Sequence, residues 1–207
     1  ANGMVFNYKY DTDGSWITNN YTALTSTANW DKPATADPFA AFKAVKDAIR
    51  AKTGTELTVA IMNSYTFNLL SKMDAVKNRY MTTNGMSLGY LTENEVKAVV
   101  ESTSGLRIAI YDKQYWDESK VAHAFVPNGY VCLIPDGTLG GTWYGTTPEE
   151  ADLRGASSAE VSIVNTGVAI TRVLQEHPVN INTFASEIVL PSFERMDEVA
   201  VLNVLGE

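Results

Sequence analysis

The segment from Pro135 to Gly155 reads PDGTLGGTWYGTTPEEADLRG. It sets the adjacent aromatics Trp143 and Tyr144 and the carboxylates Glu149, Glu150 and Asp152 among several glycines. Two of those carboxylates facing each other across a cleft could act as general acid and general base in a hydrolysis. The same residues also make a good first helical turn: Pro148 suits its opening position, and acids there answer the helix dipole without any catalytic role. The sequence favours that structural reading. Gly137, Gly140, Gly141 and Gly145 lack the strand, glycine loop and Gly-Lys-Ser/Thr order of a phosphate cradle. They do not fit the dinucleotide fingerprint either.

The remaining reactive side chains are few. There are two histidines: His123 falls within a predicted strand, and His177 precedes Pro178 at a turn. Neither has a Cys or His partner at metal-ligand spacing, so no metal site is expected. Cys132, the single cysteine, lies in the apolar run Tyr130-Val-Cys-Leu-Ile134 and reads as a small buried hydrophobe. Asp11-Thr-Asp-Gly14 begins like a calcium loop but lacks the later acidic ligands, and reads as a turn. No Gly-x-Ser-x-Gly elbow motivates a catalytic triad. Trp16, Trp30, Trp116 and Trp143 would make a sugar or ligand site only if they clustered on one concave face; scattered, they read as core or interface anchors. The expectation is no enzyme and no cofactor.

Composition narrows the partners. The 207 residues are 45% hydrophobic and 19% charged, enough for one core or two small ones. A net charge of −8 without a Lys or Arg run argues against nucleic-acid groove binding. No apolar run reaches bilayer length, and no basic-then-apolar signal opens the chain. The start, Ala1-Asn-Gly, is unlike a natural initiation region and predicts a fragment or processed product of a longer chain.

Elements able to position these groups follow from periodicity. Val5 to Tyr10 alternates as a strand, and Ser15 to Ala36 reads as an extended, irregular connector. Asp37 as N-cap, Pro38 at the first position and Gly54 at the end bound a helix whose apolar stripe is Phe39, Phe42, Val45 and Ile49. Leu57 to Met62 is a buried strand, and Asn63 caps a helix to Met73 that continues or restarts from Asp74 to Tyr80. Met81 to Tyr90 is a loop, Glu93 to Ser102 a helix and Leu106 to Tyr111 a strand. Val121 to Val126 and Gly129 to Ile134 read as two strands joined by the Pro127-Asn-Gly129 turn. Ala159 to Leu174 and Val179 to Leu190 read as two long strands, and Glu198 to Leu205 as a last one. Helix and strand do not alternate in the final third, so the class is α+β. Composition breaks near Gly54 and Gly145 suggest a middle lobe flanked by two segments that form a second.

Several stretches together resemble the lambda-type major capsid proteins (capsid protein E) of tailed bacteriophages. They are Trp30-Asp-Lys-Pro-Ala-Thr-Ala-Asp-Pro38, Val59-Ala-Ile-Met-Asn63, the run from Val126 to Gly137, Tyr144-Gly-Thr-Thr-Pro-Glu-Glu-Ala-Asp-Leu153, and the ending from His177 to Val201. Their order spans about residues 28 to 205. The resemblance implies the phage major capsid fold. Its peripheral domain, with a spine helix at about 37–53 and antiparallel strands, would comprise residues 1–54 and 146–190. Its axial mixed α/β domain would comprise 55–145 and 191–207, with Val199 to Val204 rejoining the sheet beside Val59 to Met62. It further implies self-assembly into pentamers and hexamers around a DNA genome, with scaffold or decoration proteins as further partners. An encapsulin-type shell shares that fold and is the alternative. The N-terminal arm and most of the extended loop of such proteins are missing, and Val5 to Tyr10 would be the loop's returning strand. Interface candidates are Trp143 and Tyr144, expected to anchor the segment by packing, the carboxylates Glu149, Glu150 and Asp152, and Met86 and Leu88 in the loop near the ring axis.

Overall fold

The computed structural model describes residues 15–84, 91–152, 159–165, 167–176 and 179–206. Its first elements are α1 (Ser15–Asn20), β1 (Tyr21–Ala23), α2 (Pro38–Thr53), β2 (Leu57–Met62), α3 (Ser64–Lys72), α4 (Asp74–Asn84) and α5 (Glu93–Ser104). There follow β3 (Arg107–Ile110), β4 (Gln114–Trp116), β5 (Ala122–Ala124), β6 (Tyr130–Pro135), β7 (Gly140–Tyr144) and α6 (Pro148–Asp152). The chain ends with β8 (Ala159–Asn165), β9 (Val168–Glu176), β10 (Val179–Glu187), β11 (Val189–Phe193) and β12 (Ala200–Asn203). The class is α+β. Val5 to Tyr10, Asp11 to Gly14, Met86, Leu88 and His177-Pro178 lie outside the described residues.

Contacts divide the chain into two compact units, one up to Gly137 together with Asp197 onward, the other Thr138–Met196. The first is built on a sheet of order β1-β12-β6-β2-β3, parallel at both ends and antiparallel through β6. β2 is buried along both faces, as a central strand requires. The expected helix forms as read: the Asp37 carboxylate accepts from the N–H groups of Phe39 and Ala40, and Gly54 closes it at φ 75°. Phe42, Val45 and Ile49 are buried, and Trp30 meets Phe42 edge-on with ring centroids 5.7 Å apart. That stripe joins the core formed by Leu57 and Met62 of β2, Leu70 of α3, Val100 of α5 and Leu202 of β12. α2 therefore shares its core with the residues after Gly54, and the contact-defined units meet at Gly137.

Local polar groups tie the helices to the sheet. Asn63 accepts from Thr66 N–H at 2.9 Å, donates to the Val126 carbonyl and to Asn128, and so joins the start of α3 to the 127–129 turn. Thr66 Oγ1 in turn accepts from Gly129 N–H at 3.0 Å. Asp112 receives both the hydroxyl and the N–H of Ser64, which hold its carboxyl below the usual aspartate value. At α5, Thr92 and Glu95 form a capping box, and Tyr80 of α4 donates to Glu95 at 2.6 Å.

Five expectations change. α4 runs to Asn84, so residues 81–84 of the expected Met81–Tyr90 loop are helical. Ser15 to Ala36 is ordered: Asn20 donates to the carbonyls of Asp197 and Val199, and β1 pairs in parallel with β12. β5 and β6 do not form a hairpin, because β5 pairs with β4 while β6 enters the main sheet. The 159–174 run is two antiparallel strands, β8 and β9, with Gly167 at φ 77° before β9. β12 does enter the sheet with β2, but β6 stands between them.

Candidate functional site

The first candidate surface is the ribbon of β4 and β5, where Tyr115 lies opposite His123 and Trp116 opposite Ala122. Strand alternation brings Tyr111, Tyr115, His123 and Phe125 to one face. Their rings form a row: Tyr111 to Phe125 at 6.1 Å, Phe125 to Tyr115 at 5.1 Å, and Tyr115 stacked on His123 at 5.4 Å. Trp116, on the other face, is 71% exposed. Asp117 holds the turn, accepting from Val121 N–H at 2.8 Å and standing 3.0 Å from His123 Nε2. The Val121 bond and then the histidine lower the Asp117 pKa. A two-stranded ribbon is marginal alone in water. The aromatic row both stiffens it and leaves a large apolar surface in solvent. Sequence reasoning missed β4, because three residues are too short for a periodicity to show.

The second lies in Thr138–Met196, where β7 pairs antiparallel with β11, setting Trp143 against Leu190 and Tyr144 against Val189. Trp143 is 64% exposed, and Tyr144, Val189, Leu190 and Phe193 are exposed as well. Among the described residues, Trp143 thus has little cover, and its side chain stands out from the ribbon. Glycine is demanded at two close approaches. A Cβ at Gly140 would meet the Ser192 carbonyl oxygen at 1.9 Å, and one at Gly167 would meet Tyr144 Cβ at 2.8 Å. The passage from Pro135 to Gly137 ends β6 and leads from one unit into the other, and α6 starts at Pro148.

Glu149, Glu150 and Asp152 all belong to the five-residue α6. Glu149 is half-buried, with Oε2 shielded from solvent and given no donor. Among the described residues, no group of three His, Cys, Asp or Glu could hold a metal ion. Trp30 is 1% exposed in the core of its unit, while Trp116 and Trp143 are exposed, one on each unit. Cys132 is half-buried in β6, and burial raises its thiol pKa, which suits an inert side chain. An apolar cavity of about 120 Å³ between α1, β1 and α2, lined by Leu24, Ala41, Ala44 and Ala48, is well short of ordinary ligand pockets.

A family model described as phage major capsid protein E matches residues 15–204. The chain belongs to this family. Among solved structures, it resembles a phage-related protein from Bordetella bronchiseptica RB50 at 14% identity and TM-score 0.52, covering 91% of this chain and 57% of that one. It also resembles a candidate prophage capsid protein from E. coli CFT073 at 13% identity and TM-score 0.59, covering 85% and 50% respectively. At these identities the likeness is one of fold, and the phage major capsid fold is the one shared. The chain spans about half the length of those two proteins. The holo encapsulin complex from Synechococcus elongatus PCC 7942 aligns over 90% of this chain and 53% of its own subunit, at 12% identity and TM-score 0.37, too low to argue from. No curated protein matches the chain.

Proposed function

We propose that this capsid-family chain is a structural subunit of a phage or prophage shell, assembling with copies of itself into pentamers and hexamers around the DNA genome. The observation that carries this reading is the exposed apolar surface of Thr138–Met196, from Trp143 on β7 to Val189, Leu190 and Phe193 on β11. Trp143 and Leu190 lie on one face of that ribbon and Tyr144, Val189 and Phe193 on the other; exposed apolar surface supports an interaction site, and heterologous contacts between copies close into rings. The β4–β5 ribbon supplies a second contact, and Met86 and Leu88 fall in the loop assigned to the ring axis. Trp143, Tyr144, Glu149, Glu150 and Asp152 are the interface residues of this reading, which ascribes no catalysis to them.

Residues 146–190 are read as the peripheral domain, and the five-stranded unit as the axial one. α2 is read with the axial unit, since its stripe closes on that sheet. The acidic balance fits a shell that does not bind its DNA tightly, and repulsion between copies delays premature assembly. The virion is then the site of action, with assembly in the host cytoplasm and scaffold or decoration proteins as further partners. Electron microscopy of the protein expressed from its complete reading frame tests the proposal. Closed shells, tubes or rings are expected. A monodisperse monomer at every concentration and ionic strength would overturn it.

A further inference from the structure

Ile188 decides which flank of the long strand formed by β10 and β11 is free. In an extended chain the N–H and C=O of one residue point to the same side. The Ile188 N–H donates to the Gly167 carbonyl at 3.3 Å, and its carbonyl accepts from Gly145 N–H at 2.9 Å. β9, starting just after Gly167, and β7, ending just before Gly145, therefore lie end to end along one flank. Even-numbered residues direct their backbone groups to that flank. The odd-numbered residues of β10, from Val179 to Glu187, direct theirs to the opposite one. Among the described residues no strand pairs with β10 there.

Edge protection is unequally distributed along this flank. Pro191 occupies an odd position in β11, where its missing N–H blocks strand addition. β10 reads VNINTFASE, nine residues with no proline and a single charge, Glu187, at its end. Val179 is 89% exposed, and Ile181 and Phe184 also face solvent. An open, nearly uncharged edge of this length is a template for another strand.

We infer that β10 pairs through this flank with β10 of a second copy, antiparallel about a two-fold axis at Thr183, merging two three-stranded sheets into one. The inference rests on the self-assembly proposed above and adds the strand and the register. Charge selects the arrangement. In-register parallel pairing would set Glu187 against Glu187 about 4.8 Å away, and like charges directly opposite are destabilising. The antiparallel arrangement sets Glu187 opposite Val179 of the second copy and keeps the two carboxylates at opposite ends of the ladder. Ile181 then meets Ala185, Asn180 meets Ser186, and Thr183 meets Thr183, a favourable cross-strand pair. Only residues of outward parity can exchange hydrogen bonds across the axis, so the register centred on Thr183 pairs the whole strand.

Sedimentation velocity over a concentration series provides the test, with Thr183→Lys and Thr183→Glu compared singly and mixed. Thr183 is exposed, so both variants should keep the wild-type circular dichroism. Each alone is expected to weaken self-association by about tenfold or more, and the equimolar mixture to restore it, because opposite charges then meet at the axis. In a Cys132→Ser background, Thr183→Cys should form a disulfide dimer under mild oxidation, since such pairs lie about 5.5 Å apart at Cα. Ala185→Cys should do so only when mixed with Ile181→Cys. Association unchanged in Thr183→Lys, or cross-linking no greater than from Ser119→Cys on the β4–β5 ribbon, would overturn the strand pairing. If shells form while the Thr183 variants behave as wild type, the pairing is wrong and the shell reading stands. A wild-type chain that stays monomeric throughout removes both.

Discussion

The two units of this chain handle their apolar residues in opposite ways. Around the five-stranded sheet, and apart from the exposed aromatics of the β4–β5 ribbon, large side chains point inward: Trp30, Phe42, Leu57, Met62 and Leu133 are essentially without solvent contact. In Thr138–Met196, Ala169 is the one buried hydrophobe among the residues whose burial is described, while Trp143, Ile181, Phe184, Leu190 and Phe193 are exposed. Burying a large apolar side chain contributes roughly 1.5–3 kcal/mol. The first unit collects that contribution within one chain. The second leaves it uncollected until something covers its strands. On the proposed reading, stability and assembly fall to different stretches of the same sequence, as suits a subunit that folds before it associates.

Mutations that separate folding from association probe this contrast. Phe42→Ala should have the largest effect, destabilising the chain by about 3–5 kcal/mol in denaturant unfolding followed by circular dichroism. A loss below about 1 kcal/mol would mean that the helix stripe is not part of a close-packed core. Asp37→Ala removes the side chain that caps α2 and should cost about 1 kcal/mol in the same assay.

A smaller effect is expected from Glu95, whose pKa is lowered by the Tyr80 hydroxyl first and then by the Thr92 N–H and hydroxyl. A carboxyl depressed in the folded state stabilises it above the ordinary glutamate value and loses that contribution as pH falls through the depressed one. Tyr80→Phe should therefore flatten the acid-side fall in stability. An unchanged pH profile would show that the hydroxyl does not govern this titration. Least affected should be the stability of Trp143→Ser and Leu190→Ser, within about 0.5 kcal/mol of wild type, although light scattering should show weakened association. Either variant unfolding like Phe42→Ala would erase the distinction between the two units.

Much of the inward-facing unit was legible in advance because its signals are local. The Asp37-Pro38 start, the Gly54 stop, the β2 run and the Asn63 cap each lie within a few residues of what they control. The outward-facing unit was read less well. Ala159 to Leu174 looked like one strand, since a turn at Gly167 leaves the apolar pattern of its flanks unbroken. Trp143 looked like an anchor, since an aromatic side chain carries the same signal whether its cover belongs to its own chain or to another. The β4–β5 ribbon was missed for a related reason. Its stability comes from ring contacts between Tyr115, His123 and Phe125, which no spacing rule anticipates.

By itself the sequence determined the helices from α2 to α5, the caps at Asp37, Gly54 and Asn63, the α+β class, and the family, carried by stretches such as Trp30 to Pro38 and Tyr144 to Leu153. These rest on backbone preferences and periodicities that act over one or two turns of chain. Tertiary structure alone decided that β1 lies beside β12, that β6 separates β12 from β2, and that, among the described residues, no strand pairs with one flank of β10. Each of those is a pairing between residues far apart in the chain. Such a choice is made by which exposed backbone edges and apolar faces remain once the local elements have formed, and that residue is a property of the folded whole.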